Sequence, residues 1–129
     1  MESALRTALI DWLRRDGELA TSLNAVDEEA PSPAPAPSLA IAASAAADWS
    51  TKTAQGREVR IAFELLDRND DATRTATLAT RIEHRIATLP AVQQGLRVVV
   101  TQFLRSRAER RPRNLRAVLL EYRFKILET

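Results

Sequence analysis

The sequence has no cysteine and a single histidine, His84, among its 129 residues. Without thiols it can form neither a disulfide framework nor a thiolate metal site, and the redox compartment stays open. One histidine excludes the usual multi-histidine metal constellations. Glycine is scarce, with three residues, and no Gly-rich phosphate cradle is present. No apolar run approaches the roughly 20 residues that a membrane-spanning helix requires. The N-terminal stretch "MESALRTALIDWLRRDGEL" is amphipathic and carries acids, unlike a secretory leader. The expectation is a soluble protein that stays in the cytoplasm until it is assembled into something larger, with no membrane partner.

What is present is an ordinary globular composition, 45% hydrophobic and 28% charged, with a formal net charge of only +2. A chain of this length suggests one domain, residues 1–129, burying roughly two-thirds of its unfolded surface. The charge is unevenly spread. Between residues 105 and 116 lie six arginines against one acid, Glu109, whereas residues 16–29 carry five acids and no base. Separated poles on a nearly neutral chain favour oriented association.

Residues 2–15 read as a helix, with Leu5, Ala8, Leu9, Trp12 and Leu13 on one stripe and Asp16-Gly17 as its stop. "ELATSL" adds at most a short turn. Prolines at 31, 33, 35 and 37 make residues 31–37 an extended surface connection or sheet edge, since proline fixes φ and removes amide donors. "SLAIAASAA" is a weak strand. In "REVRIAFELLDR", Val59, Ile61, Phe63 and Leu65 alternate with Arg60, Ala62 and Glu64, the period of a half-buried strand. Asn69, Asp70 or Asp71 can cap a helix over 72–89, with Thr75, Leu78, Ala79, Ile82, Ile86 and Leu89 on its apolar stripe. A further strand is expected over 96–104, broken by "RSRAERRPRN". The last places Val118, Leu120, Tyr122, Phe124 and Ile126 on one face. The order α-β-β-α-β-β predicts a two-layer α+β domain: a mainly antiparallel four-stranded sheet with two helices packed on one face.

No catalytic constellation is legible. His84 lies mid-helix beside Arg81 and Glu83, an ordinary polar face, and no serine or threonine has a nucleophile-elbow context. Neither an enzyme nor a cofactor is expected. Arg105, Arg107, Arg110, Arg111, Arg113 and Arg116 lie on a hairpin tip and its flanks, where a mobile basic loop could neutralise phosphates without reading sequence. A solvated hairpin that protects a sheet edge explains the same residues. A small, non-specific nucleic-acid-binding module built on this hairpin is therefore one reading of the chain.

The stretch "DWSTKTAQGREVRIAFELLDR" supplies the other. Trp49 stands at a strand end in a polar loop that continues through Ser50, Thr51, Lys52 and Thr53 to Gly56, Arg57 and Glu58. A hairpin loop with a glycine turn accounts for Gly56, while loop tryptophans often anchor partners. The stretch resembles the Trp-to-Gly motif of the tail-terminator, or tail-completion, proteins of long-tailed phages and gene transfer agents. In that family a start like "LRTALIDWLRRD", a second helix after an acidic break and a closing strand like "RAVLLEYRFKILE" occur in the same order. The resemblance spans nearly the whole chain. The "PSPAPAP" tract and the arginine-rich hairpin depart from it.

The resemblance implies a structural virion protein without catalytic activity. It implies a ring, usually of six subunits, that caps the tail tube, ends its polymerisation and presents the surface for the head connector or stopper. The particle could be a phage, a defective prophage or a gene transfer agent, with the ring at the head–tail junction and assembly in the bacterial cytoplasm. Trp49, Thr51, Lys52, Thr53, Arg57 and Glu58 then become the expected subunit or tail interface. Arg105, Arg107, Arg110, Arg111 and Arg113 become the surface facing the lumen or passing DNA.

Overall fold

The computed structural model describes residues 1–30 and 35–129. The elements in chain order are α1 (Glu2–Arg14), α2 (Gly17–Ser22), β1 (Ala25–Asp27), β2 (Ser38–Asp48), β3 (Gly56–Arg68), α3 (Ala72–Ala87), β4 (Val92–Gln93), β5 (Leu96–Arg111) and β6 (Leu115–Glu128). The α+β class holds, but the architecture is richer than expected: the described residues form three helices and a six-stranded sheet in the order β1-β2-β3-β6-β5-β4. The two additions at the flanks, β1 and β4, are three and two residues long. Segments that short carry no readable period. Of the proline tract, Pro31 and Pro33 lie outside the described residues. Pro37 accepts a 2.8 Å hydrogen bond from the Asn24 amide, which ties the entry of β2 beside β1.

The long strands are antiparallel throughout, and β1 alone runs parallel, to β2. The sheet is apolar on one face. Val59, Ile61, Phe63 and Leu65 of β3 stand opposite Phe124, Tyr122, Leu120 and Val118 of β6, all buried. Helices α1 and α3 cover that face with Leu5, Leu9, Ile10 and Leu13 from one and Leu78, Ala79, Ile82 and Ile86 from the other. The stripe expected for α3 matches, with Thr75 and Leu89 also buried. Ile10 joins the α1 stripe and Trp12 moves to its edge. Trp12 Nε1 donates to the Arg85 carbonyl while Arg85 Nε donates to that of Trp12, with the guanidinium 3.4 Å from the indole centroid. That reciprocal bond fastens α1 to α3.

Two buried aspartates hold α3 to the rest. Asp71 caps its first turn by accepting from Thr73 N. One helical turn further along, Arg74 and Thr75 donate to Asp67, a fully buried residue at the end of β3. Asp16, which caps α2 through Leu19 N, is gripped by Arg81, with Nε 3.0 Å from Oδ2. The hydrogen bond from Arg81 is the chief reason the Asp16 carboxyl titrates below its ordinary range. For Asp67 the largest single influence is burial, which raises it, but the bonds from Arg74 and Thr75 outweigh burial and the net shift is downward.

The β5–β6 hairpin departs furthest from expectation. The arginine-rich segment does not break the strand: β5 continues to Arg111, and the turn comprises residues 112–114. Residues 102–110 are exposed and hold their extended form through main-chain pairing with β6, so no apolar alternation marks them. Register shifts fall at Val98/Val100 and Phe103/Arg105, making Val99 and Leu104 the bulged residues.

Two outcomes follow. Phe63→Ala and Phe124→Ala, each emptying a fully buried site, should each lose about 3–5 kcal/mol in urea unfolding. Because Asp67 is shifted down from 3.8, its stabilisation is complete above that pH and is lost as the pH falls through its lower folded value. The urea midpoint should therefore fall below pH 3.8, and Asp67→Asn should flatten that fall while lowering the midpoint at neutral pH.

Candidate subunit interface and arginine arm

The loop between β2 and β3, residues 49–55, is built almost entirely from its own hydrogen bonds. Trp49 N donates to the Gly56 carbonyl at 2.9 Å, Gly56 N to Ser50 Oγ at 3.0 Å, and Ser50 Oγ to Asp48 Oδ1 at 2.6 Å. Thr51 closes the tip: its amide donates to the Ala54 carbonyl, and its Oγ1 accepts from the amides of Thr53 and Ala54. The short hydroxyl side chain thus substitutes for a backbone turn partner. The Gln55 carbonyl accepts from Glu128 N at 2.9 Å, which fastens the loop to the end of β6. Gly56 is required by contact. A Cβ there would stand 2.4 Å from the Trp49 carbonyl oxygen and 2.9 Å from a Leu127 methyl.

The residues expected at the interface divide into three places. Trp49 is half-buried, with Lys125 Nζ 5.2 Å from its ring centroid on the helix-free face of the sheet. Thr51, Lys52 and Thr53 are exposed at the tip. Arg57 and Glu58 point to opposite faces. Arg57 reaches Glu2 of α1 at 3.3 Å and Asp48 at 3.5 Å. Glu58 lies on the helix-free face within 3.6 Å of Arg123 and 3.8 Å of Arg60. Trp49, Lys52 and Thr53 are therefore the members of the set that offer free side-chain surface.

The arginine arm is less uniformly basic than its sequence. Arg105 is paired with Glu121, and Arg111 with Glu64 at 3.0 Å and Glu109 at 3.1 Å. Among the described residues, Arg107, Arg110 and Arg113 have no carboxylate partner. They point apart, because Arg107 shares the helix-free face with Leu119, Arg110 stands opposite Arg116 on the helix side, and Arg113 is at the turn. Nor is the turn a loose basic loop. Arg113 and Asn114 are both left-handed, at φ 63° and 59°, as in tight hairpins whose twist matches the strands. Arg68 donates to the Arg113 carbonyl at 2.6 Å, and Asn69 N to that of Asn114 at 3.2 Å. Arg116 bonds the carbonyls of Asn69 and Asp70. The arm is held by the segment leading into α3, a constraint that arginine counting does not reveal.

His84 is exposed on α3, in a shallow depression of about 440 Å³ lined also by Glu18, Thr77 and Arg81. Among the described residues no group of three or more His, Asp or Glu is placed to hold a metal.

Gly56→Ala should lower the urea midpoint by the equivalent of about 1–3 kcal/mol, the usual cost of forcing atoms into filled space. Gly17→Ala, whose added carbon meets nothing within 4 Å, is the control and should leave the midpoint unchanged or raise it.

Comparison with known proteins gives a consistent picture. No curated protein matches the sequence. Among solved structures, a chain described as "Virion of native gene transfer agent (GTA) particle" shares the fold with a TM-score of 0.79 and 21% identity, covering 98% of this chain and 96% of that one. A family described as "Tail completion protein gp17" matches residues 7–127. The chain therefore belongs to the tail completion protein gp17 family.

Proposed function

We propose that this protein is a tail terminator: a ring, six copies in the form the family resemblance suggests, that caps the tail tube, ends its polymerisation and presents a surface to the head connector or stopper. The family match across residues 7–127 carries the reading, and membership of a tail completion family makes this a structural protein of a phage-type tail. The fold likeness to a chain of a gene transfer agent virion supports a place in such a particle. The head–tail junction is the site this function requires, after assembly in the bacterial cytoplasm.

A closed ring needs a heterologous contact, in which one patch of each copy meets a different patch of the next. Acids concentrated in residues 16–29 and arginines in residues 105–116 provide unlike surfaces on one chain. Trp49, Lys52 and Thr53 form a rigidly seated projection suited to the neighbouring tube or subunit, with Thr51 holding the tip and Arg57 and Glu58 bracing its base. Arg107, Arg110 and Arg113 retain charge for the lumen, passing DNA or an adjacent ring, whereas Arg105 and Arg111 are largely spent on internal pairs. The alternative of a monomeric nucleic-acid-binding module loses ground here. Phosphate tracking wants a continuous basic surface, and the unpaired arginines diverge.

The test is polymerisation of the cognate tube protein with and without this chain. Added protein should shorten the tubes and leave annular caps at their ends in negative stain. Unchanged tube length, together with salt-sensitive DNA binding by a monomer, would support the alternative. Trp49→Ala should keep the urea midpoint close to that of the parent chain yet weaken capping. A large fall in that midpoint would make the indole a core residue instead.

A further inference from the structure

Both flanks of the four long strands are left open. On one side β1 covers only Ser38, Leu39 and Ala40 of β2. Of the remainder of β2, Ile41 is partly buried and residues 42–48 are exposed, reading Ala-Ala-Ser-Ala-Ala-Ala-Asp. On the other side β4 covers only Leu96 and Arg97 of β5. Open edges are usually defended by lysine, proline or an inward charge. Residues 43–47 of β2 carry none of these, and the β-bulge, a further defence, falls before them at Ala42. Five small residues in a row on an unpaired edge leave the main chain free for another strand to approach.

The opposite edge is its complement. Val99, Phe103 and Leu104 of β5 are 46%, 44% and 38% exposed, and three of the exposed large apolar side chains thus lie on this one strand. Strand directions also agree. β2 is antiparallel to β3, β3 to β6 and β6 to β5, so β5 of one copy set beside β2 of the next continues the sheet with an antiparallel pair. Charge agrees as well. Reading the register across the sheet, Ala40 is level with Arg107 and Ala43 with Arg105. Asp27 of β1 pairs with Ala40, so Asp27, which Arg14 also holds at 2.8 Å, is level with a neighbour's Arg107, the arginine of that row with no carboxylate partner among the described residues.

From this we infer that the interaction surface between copies is strand addition: the small-residue edge of β2 in one copy pairs antiparallel with the β5 edge of the next, with Val99, Phe103 and Leu104 covered by the contact. The inference deepens the ring reading and rests on it for the number of copies. Strand addition joins unlike edges, so an open chain of copies always ends in one free edge of each kind and can close on itself.

Because the sequence lacks cysteine, single thiols report the contact cleanly. Ala45 is level with Gln102, with Ala47 beside Val100 and Ala43 beside Arg105 in the adjacent rows. Ala45→Cys is mixed in turn with Val100→Cys, Gln102→Cys and Arg105→Cys and oxidised mildly. The expected result is a covalent pair of twice the 14.3 kDa chain mass in at least one mixture, and none from Ala45→Cys alone. The corresponding double variant should give a ladder of higher species. No cross-link in any mixture, or an Ala45→Cys homodimer, would overturn the inference, the latter because like edges would then be paired. As a thiol-free check, Ala43→Lys with Ala45→Lys should abolish association in sedimentation while the urea midpoint stays near that of the parent, and undiminished association would also overturn it. Tube shortening by the parent chain is scored separately. Shortening without cross-links leaves the ring and removes the strand contact, whereas cross-links without shortening leave the contact and remove the terminator.

Discussion

The position of α3 governs much of this molecule, and two aspartates fix it. Asp67 lies at the end of the central strand β3 and takes Arg74 and Thr75; Asp16 caps the start of α2 and takes Arg81. Both carboxylates are almost fully buried, where an unpaired charge would be costly. Each is satisfied only when α3 lies across the sheet at one height and one angle. The apolar stripe supplies most of the free energy of that layer, but a stripe tolerates sliding, whereas bonds between fixed donors and acceptors do not. The same segment then holds the hairpin turn through Arg68, Asn69 and Arg116. Helix, sheet and arm are thereby set relative to one another at a single junction.

The helix-free face follows a different rule. Glu58, Glu64, Glu109 and Glu121 each lie beside an arginine, and Arg123 also donates to Gln102. Exposed pairs of this kind add little stability singly. Their effect is to keep the helix-free face wet and largely self-neutralised, which sets the sheet edges and the Trp49 loop apart from it.

How much could be read beforehand depends on whether a segment's form is dictated by burial. The alternation in β3 and β6 and the stripe of α3 were legible because most of their buried positions are apolar, with Asp67 and Thr75 the buried polar exceptions. The far half of β5 was not, because its extended form comes from pairing with β6, and its Arg-Ser-Arg-Ala-Glu text carries no trace of that partner. The three-residue β1 and two-residue β4 were equally silent. At the site, Trp49 and Gly56 were identifiable by type, but their mutual contact was not. That Arg105 and Arg111 are paired while Arg107, Arg110 and Arg113 are not depends on cross-strand register, which the arginine count cannot express. The reciprocal Trp12–Arg85 link joins residues 73 positions apart, beyond any local pattern.

The contact of Gly56 with the Trp49 carbonyl has a further bearing on construction. With no room for a single extra carbon, the main chain of Trp49 is held close against Gly56, which fixes the backbone from which the indole projects. In any circle of identical parts, an angular error at one joint recurs at every joint and sums around the circumference. In the ring proposed above, stiffness at the points of contact counts for more than strength there, and a glycine seated against a carbonyl supplies stiffness to the Trp49 loop.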